Sequence, residues 1–130
     1  MVAAGADIAQ QGEAGAAGAR RLALPVDLAH LQRFTLGNQA LEIEVLQLFA
    51  AQAPVTLDQL KRSECEKSWR IAAHTLKGSA RAVGAWRVAR CAERAEVLVG
   101  EPEQRRAAIL GLELAIEEAS RFIAAFPAVA

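Results

Sequence analysis

Of the two histidines in this 130-residue chain, His30 and His74, only His74 stands among residues from which chemistry can be built. Arg70 precedes it by one helical turn, Lys77 and Gly78 follow by one turn, and Arg81 follows by two. The apolar residues of the same stretch, Trp69, Ala72, Ala73, Leu76, Ala80 and Val83, fall within about 50° of one direction at 100° per residue. With Trp69 as the origin, His74 lies near 140°, Gly78 near 180°, Arg81 near 120°, Arg70 near 100° and Lys77 near 80°. The imidazole therefore points away from the face that a core would cover. A glycine inside a helix costs about 1 kcal/mol relative to alanine. The chain holds 30 alanines, so a glycine at 78 needs a reason of its own. Missing bulk beside an outward imidazole lets another protein come close to the ring.

The local charge is as uneven as the spacing. Residues 61–94 hold nine bases and three acids, a net of +6, whereas residues 1–60 and 95–130 each carry −3. A formal net charge of 0 thus conceals a positive band centred on His74. A neutral exposed imidazole in such a band has the attributes of a phosphoryl acceptor. Its ring nitrogen can attack an acyl phosphate, and cationic neighbours offset charge on the phosphoryl oxygens. The plainest alternative is a solvated histidine on a charged helix face. Acid–base catalysis is the third reading, and it lacks a carboxylate on the same helix to orient the ring. Hydrolysis of a phosphate ester would call for a metal or a second catalytic group, and neither is evident.

The elements that must hold this histidine are helical. Asp27 caps a short helix to about Thr35, and Gly37-Asn38 breaks it, with Asn38 able to cap the next. Residues 39–60 carry Leu41, Val45, Leu48 and Phe49 at helical spacing, with Pro54 as a kink rather than an end. Leu46 and Ile43 lean outward from that face, to meet the short N-terminal helix or to join an apolar rim around a partner site. Ser63-Glu64-Cys65-Glu66 fits a capping box before the helix of His74, which Gly84 ends. Residues 85–99 predict another helix with Val88, Ala89, Ala92, Ala95 and Val99 inward. Trp86 points away from this inner face, so that it covers an end of the bundle or meets a partner. Pro102 suits the first turn of the last helix, whose inner face is Ile109, Leu112, Ile116, Ala119, Ile123 and Phe126. No strand-like alternation competes. The expected architecture is all-α, an antiparallel four-helix bundle with a short additional N-terminal helix. Residues 1–21, rich in Ala, Gly and Gln, read as a flexible tail, and residues 22–127 as one domain.

Composition removes other classes. Hydrophobic residues make up 53% of the chain, too many for wholesale disorder. The zero net charge argues against a generic nucleic-acid binder. No uninterrupted apolar run reaches the length of a membrane span, and no secretory signal is visible. Cys65 and Cys91 form no CxxC pair and, with His30 and His74 far apart, suggest no metal site, which suits a reduced, cytoplasmic protein. The stretch GEAGAAGAR lacks the Lys-Ser/Thr ending of a nucleotide loop, so an ATP-dependent kinase is disfavoured.

The run His74-Thr75-Leu76-Lys77-Gly78-Ser79-Ala80-Arg81-Ala82-Val83-Gly84 closely resembles the signature of histidine-containing phosphotransfer (HPt) domains of bacterial two-component phosphorelays. Ala72-Ala73 before it, residues 85–96 after it and the segment from Val26 to Gln59 look similar to the family as well, so the likeness extends over about residues 25–126. The resemblance implies a four-helix bundle that takes a phosphoryl group from the aspartyl phosphate of a response-regulator receiver domain and passes it to another receiver. Under it His74 is the phosphorylated residue, with Nε2 reacting, and Lys77 is the positive group beside the phosphate. Gly78 admits the partner, and Gly84 is the turn glycine. Arg70 and Arg81 would aid docking, and Leu46 and Phe49 would join an apolar rim. The family implies no cofactor of its own, since Mg²⁺ sits on the receiver. Partners would be receivers and a hybrid histidine kinase, met by a monomer. The rival from another class is a helical scaffold that binds a kinase or receiver without carrying phosphate.

Overall fold

The computed structural model describes residues 24–126; the tail expected over residues 1–21 lies outside them. Five helices follow in order: α1 (Leu28–Thr35), α2 (Gln39–Lys61), α3 (Glu66–Val83), α4 (Trp86–Glu96) and α5 (Pro102–Ala125). No strand occurs among the described residues. The helices α2–α3, α3–α4, α4–α5 and α2–α5 pack pairwise, which closes a ring around one core, and α1 lies against α2 and α3.

The caps explain most of the boundaries. The Asp27 carboxylate accepts from the His30 amide at 3.1 Å, and the Asn38 side chain accepts from the Leu41 amide at 3.1 Å. Between them the chain turns through left-handed backbone at Leu36 and Gly37. The capping box expected at Ser63 does not form. Cys65 is the cap of α3, its sulfur accepting from the Ser68 amide at 3.5 Å, while the Ser63 hydroxyl donates back to the Leu60 carbonyl at 2.7 Å. Hydrogen bonds from Ser68 hold the Cys65 thiol below its ordinary range. Pro102 takes the first position of α5.

Gly84 joins α3 to α4 with φ of +80°, a conformation that L side chains rarely adopt. It has a second reason to be glycine. A Cβ there would stand 3.0 Å from the Asp27 carbonyl oxygen. The Asp27 amide donates to the Gly84 carbonyl at 2.9 Å, and the Trp86 indole N–H donates to the Asp27 carboxylate at 2.9 Å. The ring of His30 meets that of Trp86 edge-on at 4.9 Å. Trp86 thus covers the end of the bundle where α1 enters.

Two expectations about inner faces need correction. The helix α4 stops at Glu96, so Val99 is exposed on the connection to α5 rather than turned inward. The helix α2 is turned about its axis relative to the expected face. Its buried line is Glu42, Leu46, Phe49, Ala53, Thr56, Leu57 and Leu60, whereas Leu41 and Leu48 are exposed. Apolar residues lie nearly all round this helix, so spacing alone gave no unique inward direction. Packing against α3 and α5 selects this line, and at its start the buried Thr35 hydroxyl donates to the Glu42 carboxylate at 2.9 Å, which ties α1 to it. By length and composition α2 is also apolar enough to cross a membrane, a property that a bundle's core helix shares.

Candidate functional site

The inner face of α3 is as the spacing demands. Trp69, Ala72, Ala73, Leu76, Ala80 and Val83 are all buried. The Trp69 indole N–H donates to the Ala95 carbonyl at 2.7 Å and fastens α3 to the end of α4. The rotation of α3 being set by this core, His74 must face outward, and its side chain is 68% exposed.

The carboxylate that its own helix lacks comes from α4. The Glu96 Oε2 lies 2.8 Å from His74 Nδ1, and the Lys77 ammonium donates to Glu96 Oε1 at 2.6 Å. One carboxylate therefore ties together the imidazole and the lysine one turn further along. Lys77's hydrogen bond, helped by that of His74, holds the Glu96 carboxyl below the usual carboxylate range, against partial burial, which pushes the other way. An ionised Glu96 can only accept, so Nδ1 carries a proton, and in the neutral ring Nε2 carries the lone pair. Nε2 has no hydrogen-bond partner among the described residues.

Sequence reasoning missed Glu96 because it looked for the orienting group within α3. The signal was present. The α3–α4 connection at Gly84-Ala85 is tight, and residues nearly equidistant from it, such as 74 and 96, come side by side in two helices that double back. The long side chain of Arg81 also reaches across to Glu93, at 3.4 Å.

The remaining expected residues divide. Arg70 and Arg81 are exposed on the His74 side of α3, with Arg70 3.8 Å from Glu66. Lys77 is drawn in toward Glu96, its side chain only 16% exposed. At Gly78 a Cβ would meet nothing within 4 Å, so the chain's own packing does not require glycine there. Leu46 and Phe49, expected in a docking rim, are 1% and 5% exposed and belong to the core. Phe49 stays on the apolar face that its spacing suggested, and the turn of α2 that seats Glu42 near Thr35 brings Leu46 inward beside it.

An open cavity of about 410 Å³ adjoins His74, lined by Lys67, Arg70, Ile71, His74, Thr75 and Glu96. No group of three or more His, Cys, Asp and Glu side chains that could hold a metal ion occurs among the described residues.

The arrangement offers an exposed imidazole held at Nδ1 by a carboxylate, with Arg70, Lys77 and Arg81 nearby. A comparison with protein-family models matches residues 44–122 to the Hpt domain. Searches of curated proteins and of solved structures give no match.

Proposed function

Because the chain belongs to the Hpt domain family, a family of phosphotransfer in two-component signalling, we propose that it is a phosphoryl carrier between receiver domains, with His74 as the carrying residue. The observation that supports this most directly is the hydrogen bond between Nδ1 and Glu96, which leaves Nε2 as the nucleophile on an exposed ring.

In the proposed step Nε2 attacks phosphorus in line with the aspartyl oxygen of a phosphorylated receiver. The N–P bond forms as the P–O bond breaks, and the aspartate leaves as a carboxylate with the bonding electron pair. The imidazole becomes cationic, its Nδ1 proton remains on the ring, and the charge is balanced by Glu96. Lys77 has N–H donors besides the one on Glu96 and offsets charge on the phosphoryl oxygens. Transfer to a second receiver is the reverse process on a new aspartate. Mg²⁺ belongs to the receiver in this reading. Arg70 and Arg81 favour encounter, and Gly78 leaves room for the approaching chain. The acting unit is residues 22–127, with α2–α5 as an antiparallel four-helix bundle and α1 as the additional helix, working as a cytoplasmic monomer.

The test uses receiver domains of the source organism labelled with radioactive phosphate on aspartate. Transfer should give a base-stable, acid-labile label on the wild-type chain and none on His74→Gln. A His74→Gln chain labelled to the same yield would overturn the assignment.

A further inference from the structure

The outer strip of α3 is not uniform along its length. Lys67, Arg70, Ile71, His74, Gly78 and Arg81 all lie within about 60° of the His74 direction. On the C-terminal side of the imidazole, Gly78 leaves open space. On the N-terminal side the surface is hollow: the 410 Å³ cavity is lined by Lys67, Arg70, Ile71, His74 and Thr75 of α3 and by Glu96 of α4. Ile71 is 57% exposed and is the one large apolar side chain of α3 in that condition. A β-branched isoleucine is a poorer helix former than alanine, so local helix stability does not explain its use at a solvent-facing position. Lys67 makes no ion pair among the described residues. Arg70 has only the 3.8 Å contact to Glu66.

We infer that this cavity is a specificity-determining subsite for the receiver, taking an aliphatic side chain flanked by carboxylates from the docked domain. The inference rests on the carrier reading above and adds to it a direction. The partner is held mainly on the N-terminal side of His74, by insertion beside Ile71 and by charge against Lys67 and Arg70. The C-terminal side contributes clearance at Gly78. The occupant follows from complementarity. Ile71 beside two cations suits an apolar residue in an acidic setting: the cavity's own carboxylate, Glu96, is engaged by Lys77 and His74, and a basic insert would be repelled by a segment of net charge +6. Because this subsite lies beside the reacting nitrogen and is not part of it, it can discriminate among receivers without altering the chemistry.

The test separates docking from chemistry in the full-length chain. Ile71→Asp and Lys67→Glu are compared with wild type in transfer from a phosphorylated receiver that labels the wild-type chain. Phosphoramidate, a donor too small to use the subsite, serves as the second probe. Both variants should raise KM for the receiver about tenfold or more with kcat within about twofold, and Ile71→Ala should raise it less. Phosphoramidate should label His74 equally in all four chains, and circular dichroism should show the same helix content. An unchanged receiver KM in both charged variants, with phosphoramidate labelling intact, would overturn the subsite and leave the carrier reading standing. A wild-type chain that neither donor labels on His74 would remove the carrier reading and this inference together.

Discussion

The two histidines make opposite use of the same ring. His30 sits at the end of the bundle with its ring edge-on to Trp86, beside the Asp27 carboxylate that caps its own helix. There the imidazole acts as a flat body that fills a corner. His74 stands mostly in solvent, and its ring donates a hydrogen bond to a carboxylate on the neighbouring helix. In the proposed function that imidazole is the nucleophile, oriented by Glu96. Residue type separates them no better than position in a helix does. The difference lies in what surrounds each ring: an aromatic wall for one, and a carboxylate, two exposed arginines and a hollow for the other.

The sharpest way to break this contrast is to remove each ring in turn. His74→Gln should reduce phosphoryl acceptance from a receiver by about a thousandfold or more, to background, because no second nucleophile is at hand. The same change at His30 should leave the labelling yield unaltered. Equal losses in the two variants would show that the rings are not divided in this way. Next in size is Glu96→Ala, which frees Nδ1. Transfer should slow by about tenfold, and nitrogen NMR should find a mixture of tautomers at His74 where wild type has Nδ1–H alone. A single unchanged tautomer would mean that Glu96 does not set it.

The structural end of the comparison is tested by stability. Asp27→Ala deletes the cap on His30 and the acceptor for Trp86, and should cost about 2 kcal/mol in denaturant unfolding. His74 should remain reactive in that variant. Gly78→Ala should act with the opposite sign. No atom crowds the new methyl group, so the fold should gain about 1 kcal/mol. A bulkier side chain at 78 should weaken transfer from a receiver while leaving phosphoramidate labelling intact. A fold destabilised by alanine there would show that the glycine serves α3 itself.

The smallest effect is a titration. The Glu96 carboxyl should titrate below the usual carboxylate range, and Lys77→Ala should move its midpoint back up, since Lys77 is the main cause of the lowering. The sign for stability follows. With its folded value depressed, Glu96 contributes fully at pH values above the ordinary carboxylate range and loses that contribution as pH falls through the lowered value. Carboxyl NMR on the two chains checks it.

The legible parts of the molecule were those with one strong directional pattern. On α3 six buried residues share one face, so the outward placement of His74, Arg70, Gly78 and Arg81 could be read from spacing alone. Asp27, Asn38, Gly84 and Pro102 announced their turns and caps through side-chain chemistry that acts within a few residues. The pattern failed on α2, where apolar residues on every side made Leu46 look outward and Leu41 and Leu48 look inward. It also failed at Ser63, where a local motif competed with Cys65 two residues on.

The sequence by itself determined that the chain is helical, where most helices begin, and that residue 74 faces water. Each of these follows from periodicity and capping within a single segment. Only the tertiary structure decided which side of α2 is buried, that Lys77 turns in toward a carboxylate, and that His74 has Glu96 as its orienting partner. Those depend on how two helices lie against each other. The distance between residues 22 positions apart is set by the packing of Trp69, Leu76 and Ala92 in a shared core, and no local propensity encodes it.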